Sequence, residues 1–313
     1  MSQFENLKRK IILLIAICVT GIVNTNAQSN FWTSTNAYLG QPPPNDTPKL
    51  FATDMLISAN DTGFALDRVA FSKDGKEFYY CYNTSWFNIT NLKIKYFKFE
   101  NNTWKGPFVL NEQFQTPTFS VDGNALYFPG GDSLSAILWQ SRRNDTGWLK
   151  PSVYFRTNYS MYDLMPTEKG NMYIGTNGTW GNVRDYSTYD FGVINISNHD
   201  TTLSNLGKPI NTDSAFDGDF FVAEDESYII VSTKETKDFE CELYISFPKQ
   251  DKTWTTPVSL GPLINDGVAH RFGEYATPDN KYLFYTRATS EKDCAIYWVR
   301  FDSLLKKLKP NNL

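Results

Sequence analysis

Four carboxylates, Asp67, Asp163, Asp219 and Glu274, recur along the chain, each at the start of a short apolar run. Carboxyl groups that meet in space raise one another's proton affinity. A protonated and an ionised carboxyl held roughly 5–9.5 Å apart are the working pair of glycoside hydrolysis. Beside or just ahead of them stand side chains suited to holding a ligand: Arg68, Gln115, Thr116, Tyr162, Asp217, His270 and Arg271. Tyr162, His270 and Arg271 are also of the types that serve as the base of a lyase. Aromatic loops supply a second set. "YNTSWFNITN" carries Trp86 and Phe87, and "NGTWGNVRDYSTYD" carries Trp180, Arg184, Tyr186 and Tyr189. Tryptophan beside Asn and Arg suits stacking on a sugar face while polar groups take its hydroxyls. Metal chemistry has little to build on, because His199 and His270 are the only histidines and the cysteines lack metal-ligand spacing. No cofactor is implied.

Whether these residues meet depends on the elements that carry them. "AFSKDGKEFYY" at 70–80 returns as "TFSVDGNALYF" at 118–128, "MPTEKGNMYIG" at 165–175, "FVAEDESYIIV" at 221–231 and "YATPDNKYLFY" at 275–285. In each, a polar two-residue turn joins two apolar strands: Asp74-Gly75, Asp122-Gly123, Lys169-Gly170, Asp225-Glu226 and Asp279-Asn280. Asp-Gly suits the positive φ of tight hairpins, and the two turns without glycine are expected to differ. A third strand follows each hairpin ("KIKYFKF", "AILWQS", "FGVINI", "CELYISF", "CAIYWVRF"). A fourth element, often marked by Trp and Pro, comes next, as in "WKGPFVL", "WLKPSVY" and "WTTPVSL". Repeats of this length with four strands each predict an all-β fold, a single β-propeller of five four-stranded blades. Large rings fill the wedges between blades, so the aromatics, 16% of residues, are core by default.

The fifth copy ends in "FDSLLKKLKPNNL" and lacks a fourth strand, whereas "TPKLFATDMLIS" at 47–58 precedes the first copy and resembles the missing element. The N-terminal segment is therefore expected to complete the last blade and close the ring, removing an exposed edge. Aligning the five copies on their turns sets Asp67 and Arg68, Gln115 and Thr116, Tyr162 and Asp163, Gly218 and Asp219, and Phe272 to Glu274 around one axial rim. Cys241 and Cys294 fall at equivalent positions of adjacent blades, about a sheet spacing of ~10 Å apart and too far to bridge, so the cysteines are read as thiols.

The repeated apolar strand, "S-x-DG" turn and aromatic strand resemble the TolB-like, WD-repeat-like β-propeller modules of exported proteins in Bacteroidota-type bacteria. The flanks "YLGQPPPNDTPKLFATDMLIS" and "AIYWVRFDSLLKKLKP" are similar to those of a secreted subgroup, so the resemblance runs over about residues 38 to 310. It implies a periplasmic, cell-surface or secreted binding scaffold. Related modules accompany hydrolase domains in prolyl peptidases, but this chain has no G-x-S-x-G.

Residues 1–27 read as a signal peptide: Lys8, Arg9 and Lys10, an apolar run from Ile11 to Val23, and small residues at Thr25 and Ala27 before the cut. Cys18 follows Ile17 where a lipid-attachment signal has a small residue, so cleavage after Ala27 is expected instead. Residues 28–46 are then an extended lead-in and 47–313 the propeller. Cleavage moves the formal charge from −4 to −6. That balance argues against nucleic acid and anionic lipid as partners, and no later segment is long and apolar enough to span a bilayer, so no membrane insertion is expected after cleavage. Nine Asn-x-Ser/Thr triplets, from Asn45 to Asn195, follow from a chain rich in Asn, Ser and Thr. The expectation is an exported binding module taking an envelope protein or a glycan at the axial rim; the alternative is a carbohydrate-active enzyme using the rim carboxylates.

Overall fold

A computed structural model describes residues 31–86, 89–132, 134–178, 188–197, 200–213, 217–233, 236 and 240–311. Five antiparallel sheets form a ring, four of them built from consecutive stretches of chain and the fifth completed by a strand from the N-terminal side. A short strand, β1 (Lys49–Leu50), precedes blade 1, which comprises β2 (Phe64–Phe71), β3 (Glu77–Asn83), β4 (Lys93–Glu100) and β5 (Thr103–Glu112). Blade 2 holds β6 (Thr118–Phe119), β7 (Ala125–Gly131), β8 (Ala136–Asn144), β9 (Gly147–Trp148) and β10 (Ser152–Thr157). Blade 3 runs through β11 (Tyr162–Pro166), β12 (Asn171–Thr176), β13 (Asp190–Ser197) and β14 (Asp200–Asn205). Blade 4 has β15 (Phe220–Val222), β16 (Ile229–Thr233), β17 (Glu242–Ser246) and β18 (Val258–Ser259), and blade 5 has β19 (His270–Ala276), β20 (Tyr282–Ser290) and β21 (Asp293–Arg300).

The missing fourth strand of blade 5 is β1, which pairs antiparallel with β21 through Lys49↔Trp298 and Leu50↔Tyr297. The seam is shorter than the 47–58 strand that the sequence predicts. Ala52 turns to φ 45 and a four-residue helix, α1 (Thr53–Leu56), follows it. The buried ring of Phe51 compensates, standing 5.3 Å from Phe78 of blade 1 and 4.9 and 5.1 Å from Phe284 and Trp298 of blade 5. One aromatic side chain thus bonds first blade to last by packing. Residues 31–40, expected as extended, form two 3-10 turns that bury Trp32, Tyr38 and Leu39 in the same cluster. The Trp32 indole donates to the Lys73 carbonyl at 3.1 Å.

The five hairpin turns are alike, which corrects the expectation that two would differ. Each is a four-residue turn closed by a backbone bond to its first carbonyl: Gly75 to Ser72, Gly123 to Ser120, Gly170 to Thr167, Glu226 to Ala223 and Asn280 to Thr277. The left-handed residue is the fourth, with φ 73, 73, 82, 58 and 56 in chain order. This is a longer loop than a two-residue hairpin, and a single left-handed position is one that Asn tolerates. Glu226 adopts it while anchored by Thr167, Lys169 and Asn171 of blade 3. In three blades a hydroxyl also fixes the aspartate inside the turn, as Ser72 on Asp74, Ser120 on Asp122 and Thr277 on Asp279, each at 2.6 Å. Cys81, Cys241 and Cys294 are unbridged.

Candidate functional site

The innermost strands of blades 1, 3 and 5 are not regular. Their register with the second strand slips between Leu66 and Ala70, Tyr162 and Leu164, and Phe272 and Tyr275. The extra residues of these bulges include Asp67, Arg68, Asp163 and Glu274, and the left-handed backbone recurs here at Asp67 (φ 67), Thr116 (φ 49), Asp163 (φ 52) and Gly273 (φ 65). A bulge re-aims a side chain that a regular strand would send between blades. At Gly273 no side chain fits, because a Cβ would lie 2.3 Å from the backbone of Asp67.

Through these bulges one dipeptide of blade 1 reaches the other four blades. The Asp67 carboxylate accepts from the Thr116 hydroxyl of blade 2 at 2.9 Å and from the Arg68 amide at 2.7 Å. Arg68 crosses the axis. Its guanidinium donates to Asp163 at 2.7 Å and to the Leu164 carbonyl at 3.3 Å in blade 3, to the Phe220 carbonyl in blade 4 and to the Glu274 carbonyl at 3.1 Å in blade 5. The side chain is 1% exposed and its partner Asp163 2%. A buried pair of this kind survives only when the remaining donors are satisfied, and backbone carbonyls do that here.

The hub holds more carboxyls than cations. Burial raises Asp163 to about 6 against the pull of Arg68, and Asp219 hydrogen-bonds to it. Burial, with Asp163, Glu274 and Asp67 nearby, holds Asp219 well above the usual carboxylate range. Glu274, fully buried and with neither side-chain oxygen hydrogen-bonded, is pushed up to about 8 by burial first and then by Asp163 and Asp67. Asp67 is raised for the same primary reason. The hub thus gathers four carboxyls, all raised by burial, around one guanidinium, and Asp163 is the one that Arg68 pairs with directly.

On one side of this hub lies a cavity of about 180 Å³ lined by Leu66, Asp67, Trp86, Gln115, Thr116, Tyr162, Asp163, Asp219, His270 and Phe272. Most of the rim that the sequence predicts thus converges, and Trp86 comes in from the aromatic loop. The His270 ring stacks on Phe272 at 4.4 Å and stands edge-on to Trp86 at 6.0 Å, forming an aromatic shelf. Burial lowers His270 to about 4, so it is a neutral imidazole at physiological pH. Tyr162 donates to the carbonyls of Asp217 and Gly218, and Asp217 is taken up by the amide and hydroxyl of Thr212.

Three expectations need correction. Arg68 is a tie across the axis, donating to acceptors in blades 3, 4 and 5. Arg271, 1% exposed, points into the connection before blade 5, where it bonds the carbonyls of Ile264, Cys241, Ala269 and Gly267 at 2.8 to 3.3 Å. Glu274 does not line the cavity. Trp180, Arg184, Tyr186 and Phe87 lie outside the described residues. Among the described residues no set of three or more His, Cys, Asp and Glu is placed to hold a metal ion.

Sequence reasoning missed a second, larger cavity of about 360 Å³ at the opposite mouth of the axis, on the face of the hairpin turns. Its walls are residues that read as ordinary strand core and turn, so no sequence signal marks it.

No protein-family model matches this sequence, and no curated protein does. Among solved structures the chain is similar to TolB from Acinetobacter baumannii, with 15% identity and a TM-score of 0.40 over 74% of this chain and 54% of that one. A puromycin-hydrolyzing peptidase of Mycobacterium tuberculosis gives 9% identity and a TM-score of 0.41 over 79% of this chain and 38% of that one. A hypothetical protein from Leishmania major gives 13% and 0.45, over 80% of this chain and 89% of that one. This chain thus spans about half the length of that TolB and well under half of that peptidase. At such distances no activity transfers; the five-bladed ring rests on the sheet topology.

Proposed function

We propose that this protein is an exported binding module that takes its ligand, a glycan or an envelope protein, at the mouth lined by the aromatic shelf and the polar rim. The observation that supports it is the composition of that cavity. Trp86, His270 and Phe272 offer an apolar platform, and Asp67, Gln115, Thr116 and Asp219 face it with donors and acceptors. An apolar surface with a few convergent polar groups is the usual form of a small-molecule site. A volume of about 180 Å³ admits one side chain or one sugar ring, so the rest of the ligand lies outside the mouth. The neutral imidazole and the raised proton affinity of Asp219 both act against charge on the walls, which favours a sugar over an ion.

The test is an array of soluble oligosaccharides, followed by titration of any hit against wild type and Trp86→Ala. Binding that falls at least about tenfold in Trp86→Ala supports the site, since ring stacking is worth a kcal/mol or more. A hit indifferent to Trp86 removes the site, and an array without hits moves the assignment to an envelope protein.

The raised carboxyls favour the enzyme as a second reading, because Asp219, whose proton affinity is raised by burial and by Asp163, lines the mouth beside Asp163, the carboxylate paired with Arg68. New reducing ends that disappear in Asp219→Asn, with oligosaccharide binding kept, would decide for catalysis.

A further inference from the structure

The cavity on the hairpin-turn face is twice the volume of the rim cavity and lies at the other end of the axis. Its deep walls are apolar: Phe71, Phe119, Met165, Phe221 and Tyr275, closed at the floor by Arg68. Arg68 offers no free charge there, because its guanidinium is spent on Asp163 and on carbonyls of three blades. The outer wall is set by the turns, which bring Glu168, Glu224 and Asp225 from blades 3 and 4 against a single Lys73 from blade 1. The three carboxylates are therefore under-compensated. Glu224 is more than half buried, and its carboxyl is raised by burial first and further by Glu168 and Asp225, with Lys73 alone acting to lower it. A cation set among these carboxylates would relieve that repulsion, and its apolar body would reach the aromatic walls. Phe221 and Tyr275 meet edge to face at 5.9 Å in this wall, an aromatic surface of the kind that an organic cation or an aryl group packs against. The volume falls at the lower end of the range of small-molecule sites, ~300–1,000 Å³.

We infer that this second mouth is a binding site for an organic cation, an amine or guanidinium joined to an aryl or branched alkyl body, separate from the ligand taken at the opposite rim. The ammonium or guanidinium sits at Glu168, Glu224 and Asp225, and the apolar body enters between Phe71, Phe221 and Tyr275. An anionic counterpart of the same shape is repelled by the same rim.

The experiment titrates the protein with 4-phenylbutylamine, 4-phenylbutanol and 4-phenylbutanoate by ligand-observed NMR at neutral pH and low salt. The amine is expected to bind about tenfold more tightly than the alcohol, the sum of several weak rim ion pairs, and the carboxylate more weakly than either. The preference should shrink to near parity in a Glu168→Gln, Glu224→Gln, Asp225→Asn variant and fall with added salt. Binding of the alcohol should survive in that variant, which also shows that the cavity remains folded. Equal binding of amine and alcohol to wild type, a preference unchanged in the triple variant, or no binding of any of the three overturns the assignment. Trp86→Ala should leave amine binding unaltered; loss there would place the amine at the other mouth and refute it equally.

Discussion

Replacing Glu274 by glutamine tests the charge state of the hub through stability. Glu274 has its folded pKa raised from 4.5 to about 8, with burial as the leading cause. A carboxyl with a raised folded pKa contributes its stability below the unfolded value, and that contribution is lost as pH rises through the folded value. Wild type should therefore weaken across pH 5 to 8, and Glu274→Gln, which cannot ionise, should be spared this part of the loss. One pKa unit corresponds to about 1.4 kcal/mol, so the difference accumulated over that window is about 3.5 kcal/mol. For a domain of this size, at roughly 2–4 °C per kcal/mol, the melting temperature of Glu274→Gln should gain roughly 7–14 °C on that of wild type between pH 5 and pH 8. Calorimetric melts of both proteins at the two pH values and constant ionic strength provide the reading. Asp219, Asp163 and Asp67 weaken wild type in the same direction and are present in both proteins, so the difference reports Glu274 together with its coupling to Asp219. A melting-temperature difference, Glu274→Gln minus wild type, that stays flat or falls between pH 5 and pH 8 would refute a raised Glu274.

Two further perturbations probe how the ring holds together. Arg68→Met should cost about 3–5 kcal/mol in urea unfolding, because it strands Asp163, while adding Asp163→Leu should recover part of that loss; an additive double variant would deny the pairing. Phe51→Ala should cost about 3–5 kcal/mol by emptying the contact between first and last blades, and an unchanged midpoint would show that the seam is held elsewhere.

The blades were legible because each is a local object. A hairpin such as 70–80 declares its turn and its two apolar strands within eleven residues, and repetition does the rest. Positions read by alignment alone, among them Asp67, Gln115, Tyr162, Asp219 and His270, do meet at one mouth. What stayed hidden depends on partners distant in the chain. Arg68 looks like any rim arginine until its targets are known, and those are mainly carbonyls, which every residue possesses. Arg271 hides for the same reason. The left-handed backbone of Thr116 and Asp163 was equally unreadable, since Thr rarely adopts it and the bulge that holds Asp163 comes from tertiary packing. Glu226 at a glycine position shows the same override on a smaller scale, with blade 3 holding a conformation that its own type disfavours.

Solvent does not reach the centre of the ring: Arg68 is 1% exposed, Asp163 3% and Glu274 0%. The axis is thus a partition and not a passage. A solute that enters either end must leave by the same end, so the molecule has two separate faces, and a guest on one leaves the other vacant for a different guest.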